Sequence, residues 1–120
     1  MVNLFKKGMN YISTGDILSA RKTFDILLDK EPNSSLAYAG KGKCEEIDNN
    51  LELSVTYYKK SIELDSTNST FYFNLANSLV KKSMNLNVDD YYYEALEYYL
   101  KCLDLKNNNF MCYTNIGVCY

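Results

Sequence analysis

The sequence predicts an all-α fold, an α-solenoid of stacked antiparallel helix hairpins, and three observations lead there. Residues recur at a fixed spacing. Gly8, Gly15, Ala20, Phe24 and Leu27 are followed 34 positions later by Gly42, Asn49, Ser54, Tyr58 and Ser61, then by Ala76 and Leu79. Apolar residues inside each block follow a helical period. Turn-forming residues cut the blocks at Gly15-Asp16, Pro32-Asn33 and Asn49-Asn50. A single hairpin of this length cannot bury its own apolar faces, so the units must stack.

The elements follow in order. Leu4, Phe5, Met9 and Ile12 predict a helix over residues 2–14. Gly15 breaks it and Asp16 is placed to cap the next helix, 17–30, with its stripe of Ile17, Ala20, Phe24, Leu27 and Leu28. Pro32 ends that helix, completing a first unit over residues 1–34. The second unit, 35–68, opens at Ser34 or Ser35, turns at Asn49-Asn50, and continues through Leu51, Val55, Tyr58 and Ile62. Glu45 stands there in the slot held by Tyr11, a poor fit to an apolar position. The third unit, 69–109, carries a seven-residue insertion near 81–90. Seven residues are close to two helical turns, which predicts about one extra turn on each helix and a bend near Asn85–Val88. Asp89 and Asp90 then fall at a helix N-terminus. Residues 110–120 read as the first helix of a fourth unit, either a cap or a truncated repeat. Tyr113, Ile116, Gly117 and Tyr120 keep the internal pattern and favour truncation.

Bulk properties exclude several classes. The 120 residues fit one domain, and a net charge of −2 offers no electrostatic footprint for nucleic acid. No apolar run approaches a membrane span, and residues 1–7 lack a secretory apolar core, so the expected location is cytoplasmic. There is no histidine, and Cys44, Cys102, Cys112 and Cys119 form no metal-binding pair. Each cysteine sits where a small residue would pack, so buried thiols in a reducing, intracellular compartment are expected, without metal or cofactor. Without histidine there is no His-based triad or Cys–His dyad, and no phosphate-cradling glycine loop is present, so an enzyme is not expected. The neighbours Glu45-Glu46 and Asp89-Asp90 read as solvated pairs on helix surfaces or loops. In Asp89-Asp90-Tyr91-Tyr92-Tyr93-Glu94, Tyr92 reads as core with Tyr91 and Tyr93 flanking it, in preference to a modification site. Asn33-Ser34-Ser35 and Asn68-Ser69-Thr70 match glycosylation patterns but read as inter-helix loops.

The combined pattern resembles the tetratricopeptide repeat over essentially the whole chain. The third unit matches best, through Tyr72, Leu75, Ala76, Ala95, Tyr99 and Cys102. Gly8, Tyr11, Ala20, Phe24 and Pro32 carry the first unit, and Tyr38, Gly42 and Tyr58 the second. Departures occur at Leu4, Lys7, Lys41, Glu45, Ser66, Leu79 and Asn107. The resemblance implies a right-handed superhelix whose first helices line a concave groove. Carried over position by position, it puts Phe5, Met9, Lys43, Phe73, Asn74, Asn77, Lys81 and Asn115 on the groove surface. Asn74 and Asn115 share one repeat position, and their amides can both donate to and accept from a peptide backbone.

The family's two-carboxylate clamp needs Lys, Asn, Asn and two basic residues, in that order, at slots that here read Phe5, Met9, Gly40, Thr70 and Asn74, or Ala39, Lys43, Asn74, Met111 and Asn115 one unit later. Neither frame supplies the cations at the first and the last two slots. Phe5, Met9 and Phe73 instead suit a partner protein with apolar anchors, a peptide or a helix laid in the groove. The expected function is a protein–protein interaction scaffold. The alternatives are self-assembly, with a homodimer formed through the C-terminal helix, and a regulatory arm of a longer protein.

Overall fold

A computed structural model of the chain describes residues 3–106, and in them the chain forms six α-helices: α1 Leu4–Ser13, α2 Ile17–Lys30, α3 Ser35–Ile47, α4 Leu51–Leu64, α5 Ser69–Leu86 and α6 Asp90–Leu105. The helix expected from Phe110–Tyr120, and with it Asn115, lies outside the described residues. Each helix packs on its neighbour in sequence, and α1, α3 and α5 also touch in turn, so the odd-numbered helices form one continuous layer. The result is an all-α solenoid of three antiparallel hairpins.

Local chemistry sets the helix ends. Asn3, Asp16, Ser34 and Asn68 accept hydrogen bonds from the backbone N–H groups of Lys6, Ser19, Ala37 and Thr70, satisfying donors that a helix start leaves unpaired. The three hairpin turns share one construction. Gly15 at φ 83°, Asn49 at 64° and Asn87 at 54° each adopt the left-handed conformation open to glycine and tolerated by asparagine. At each turn the next N–H reaches back over five residues: Asp16 to the Tyr11 carbonyl, Asn50 to Glu45 and Val88 to Ser83, at 2.9, 2.8 and 3.1 Å.

The third hairpin is the tallest, and the extra length is divided unequally rather than as one turn per helix. Helix α5 has 18 residues against 13 in α3, whereas α6 has 16 against 14 in α4. The left-handed residue decides this: Asn87 takes the C-cap of α5. Asn85 remains helical and donates from its side-chain amide to Asn49 Oδ1 at 2.9 Å, tying the taller hairpin to the preceding turn.

Two apolar clusters lie along the stack. The smaller gathers Ala20, Phe24 and Cys44 with Tyr11, Ile12 and Ile17, while the larger is built on Tyr58, Phe71, Leu75, Leu79 and Tyr99. Burying a ring such as Phe24 or Tyr99 contributes roughly 1.5–3 kcal/mol each. Small residues admit these rings. A Cβ on Gly8 would stand 2.5 Å from Phe24 Cε1, and one on Gly42 would stand 2.8 Å from Tyr58 Cδ1. Gly40 is the third such position, since a Cβ there would stand 2.5 Å from Phe24 Cε1. Phe24 is therefore wedged between α1 and α3.

Two readings from the sequence are corrected. Glu45 and Glu46 are not solvated; both are buried, at 7% and 5% exposure. Burial is sustained because each carboxylate finds cationic and polar partners from other helices. In the tyrosine run, Tyr91 rather than Tyr92 packs on the main cluster, and Tyr93 is 73% exposed. Helix α6 begins at Asp90, so its first turn directs Tyr91, four residues before Ala95, along the same face.

Candidate functional site

The layer of α1, α3 and α5 carries a cleft of about 370 Å³. Helix α1 contributes Phe5 and Met9; α3 contributes Leu36, Ala39, Gly40 and Lys43; Thr70, Phe71 and Asn74 come from α5, and Asn68 from its cap. Phe5 is held edge-on to the buried Phe24, with ring centroids 6.3 Å apart and an interplanar angle of 72°. That contact fixes one apolar wall, because such an edge-to-face arrangement suits the ring quadrupoles. Met9 and Leu36 are 36% and 42% exposed and supply adaptable apolar surface. Gly40 keeps the floor low because it faces Phe24 and has no side chain of its own. Asn74 and Lys43 are half-buried polar groups on the wall.

Four of the expected groove residues, Phe5, Met9, Lys43 and Asn74, meet in this cleft. Phe73, Asn77 and Lys81 do not line it. Phe73 stacks near Tyr99 at 6.1 Å and packs on the main cluster. Asn77 accepts a hydrogen bond from the Tyr99 hydroxyl. Lys81 reaches back to α3, where its ammonium donates to Glu46 Oε2 at 2.8 Å.

Glu46 is the residue that sequence reasoning missed. Its carboxylate also accepts from Lys43 Nζ at 3.3 Å, from Ser78 Oγ at 3.0 Å and from the buried Tyr58 hydroxyl at 3.3 Å. Ser78 in turn shares a hydrogen bond of 2.7 Å with Ser54 of α4. Burial alone would push the Glu46 carboxyl up. The hydrogen bond from Lys81, the charges of Lys43 and Lys81 and the bond from Ser78 outweigh it and hold the group below the usual carboxylate range. The sequence did contain a signal: Glu46 stands at the repeat slot filled by Ile12 and Val80, both apolar.

Glu45 is anchored differently. Arg21 Nε donates to its Oε1 at 3.0 Å and Asn50 Nδ2 to its Oε2 at 2.8 Å, and Arg21 also pairs with Asp48. The chain's one arginine thus rivets the first hairpin to the second. Beside it, burial pushes the Cys44 thiol up to about 11, so it stays protonated and unreactive at neutral pH. Among the described residues there is no cluster of three or more His, Cys, Asp or Glu side chains able to hold a metal, and no helix is long and apolar enough to cross a membrane.

Sequence profiles described as tetratricopeptide repeat match residues 36–68, 57–91 and 89–109, together more than half of the chain. The chain belongs to the tetratricopeptide repeat family. Solved structures agree with the fold of this tetratricopeptide repeat chain. A mutant O-GlcNAc transferase from Thermobaculum terrenum superposes with TM-score 0.86 at 19% identity, covering 97% of this chain and 21% of that protein. The first tetratricopeptide domain of Spaghetti (RPAP3), bound to an HSP90 peptide, gives 0.85 at 16% identity, covering 97% and 89%. The Yersinia enterocolitica type III secretion chaperone SycD, in complex with a peptide of the translocator YopD, gives 0.79 at 20% identity, covering 97% and 86%. The chain thus spans about a fifth of the transferase and most of the other two. At these identities the likeness shows the fold. A comparison with curated proteins gives no match.

Proposed function

We infer that this chain is a protein-interaction module that seats a segment of a partner protein, a peptide or helix with an apolar anchor, in the cleft between α1, α3 and α5. One observation carries the reading: Phe5, Met9 and Leu36 offer apolar surface beside the polar Asn74, Asn68 and Thr70. That combination gives an anchor pocket with polar groups fixing orientation. Two structural neighbours hold peptides, which supports a protein partner for this chain too. Asn74, repeated at Asn115, suits a grip on the partner's backbone, because each amide both donates and accepts. The module acts by recruitment and does no chemistry of its own. Its buried, protonated Cys44 suits a reducing, intracellular setting.

Selection of random 12-residue peptides displayed on phage, followed by calorimetry with the winners, tests this reading. The expected winners share an apolar anchor and bind the Met9→Asp variant at least tenfold more weakly, while Asn74→Ala lowers affinity for all of them alike. Winners that bind folded Met9→Asp undiminished would move the site elsewhere. Light scattering that shows a monomer when no peptide is present distinguishes recruitment from self-assembly.

A further inference from the structure

Two ammonium groups converge on one buried carboxylate at the edge of the cleft. Lys43 of α3 and Lys81 of α5 both bond Glu46 Oε2, at 3.3 and 2.8 Å, so their nitrogens lie no more than about 6 Å apart. Glu46 is 3% exposed at its side chain, whereas Lys43 and Lys81 are 37% and 49% exposed. The acid is thus hidden beneath the two cations that it holds. Two positive charges set against one negative leave an uncompensated charge. Each ammonium has three N–H donors and keeps some of them for a further acceptor.

Elsewhere among the described residues the lysine ion pairs are one to one. Lys41 meets Asp25 at 2.5 Å, Lys59 meets Glu94 at 3.4 Å and Lys60 meets Glu63 at 3.5 Å. Lys82 lies over the Tyr91 ring, 4.4 Å from its centroid. Among the described residues only Glu46 is shared by two lysines, and one of them, Lys43, also lines the cleft.

We propose that Lys43 and Lys81 form a carboxylate-binding site that takes an Asp or Glu side chain of the segment seated in the cleft. The proposal rests on the cleft reading above and adds the chemistry of the partner: an apolar anchor near Met9 followed by an acid near Lys81. The lysines are already ordered by Glu46, so little side-chain freedom remains to be lost when the acid arrives. The site shares only Lys43 with the slots of the family's clamp, at a position where the clamp has asparagine, and joins to it Lys81, which lies outside both frames. Lys81 stands on the lengthened α5, a full turn or more beyond Asn74.

The test uses the 120-residue chain and the peptides selected for cleft binding. The expected result is enrichment of Asp or Glu at a fixed distance from the anchor. Replacing that acid by its amide should weaken binding about fivefold, a gap that shrinks as salt is raised. In Lys81→Gln the gap closes, and in the control Lys82→Gln it persists. Glu46 retains Lys43 in the first variant, and circular dichroism checks that both variants fold. Cleft-dependent peptides with no acid preference, or a gap unchanged in folded Lys81→Gln, would overturn the carboxylate site and leave the cleft reading standing. A library without any Met9-dependent binder would remove both. A gap that closes equally in Lys82→Gln would reduce the effect to general surface charge and also overturn the site.

Discussion

Between the first and second hairpins, Phe24 fills the space between Gly8 and Gly40, whereas between the second and third, Glu46 of α3 reaches Ser78 and Lys81 of α5. Both joints use the same repeat spacing. The first is sealed by shape, with a ring that is fully buried and two glycines that leave room for it. Its polar element, Arg21 with Glu45 and Asp48, sits at the rim with the arginine 29% exposed. The second joint adds polar satisfaction to the larger apolar cluster: Ser54, Ser78, Tyr58 and Glu46 form one connected buried network beside it. The comparison teaches that a repeat register fixes where joints fall but not what closes them. Both joints should respond to volume, and the second should respond in addition to acid, through Glu46.

The largest effect is expected from emptying the first joint. Phe24→Ala should lower stability by about 3–5 kcal/mol, read as a fall in the denaturant midpoint, because α1 and α3 cannot both collapse into the space. A loss below about 1 kcal/mol would show that the wedge does not hold the hairpins together.

Next comes the buried acid. Glu46→Leu should cost about 2–3 kcal/mol, since Ser78 and the Tyr58 hydroxyl lose their acceptor while both lysines can turn to water. An unchanged midpoint would mean that the second joint rests on its apolar contacts alone.

Overpacking sharpens the contrast. Gly8→Leu strikes the first joint and Ala95→Leu the core of the third hairpin, and each should cost roughly 1–3 kcal/mol in denaturant unfolding. Equal midpoints for both variants and the wild type would place the close approaches elsewhere.

The smallest effect, and the most diagnostic, is acid sensitivity. Glu46 is held below its ordinary value in the folded chain, so the folded state binds fewer protons than the unfolded one. Its contribution is fully present above the ordinary glutamate range, about pH 4.3, and is lost as pH falls through the lower folded value. Glu46→Gln should flatten this part of the pH–stability curve. Phe24→Leu, which alters only volume, should leave its shape intact. A Glu46→Gln curve parallel to the wild type would deny the network its role.

Much of the fold was legible in the residues. The 34-residue recurrence, the stripes and the turns at Gly15 and Asn49 located the helices closely. Phe5, Met9, Lys43 and Asn74 were placed on one surface by repeat position, and the structure brings them into one cleft. Lys81 was expected on the groove surface by repeat position but does not line the cleft, and its bond to Glu46 crosses 35 residues and has no local signature. Gly40 was read only as an empty clamp slot, because nothing nearby in sequence says that Phe24 arrives against it from the preceding hairpin.

By itself the sequence determined periodicity: which residues form helices, where the chain reverses and which face of each helix is apolar. These are local matters, settled by backbone dihedrals, caps and the 3.6-residue turn. Only the tertiary structure decided what happens to the charges. Whether Glu46 is a solvated surface acid or the buried hub of two lysines depends on how closely α3 and α5 approach, and that distance is set by the packing of whole hairpins. Desolvation and pairing act through space, so a carboxylate's fate belongs to its neighbours in the fold rather than to its neighbours in the chain.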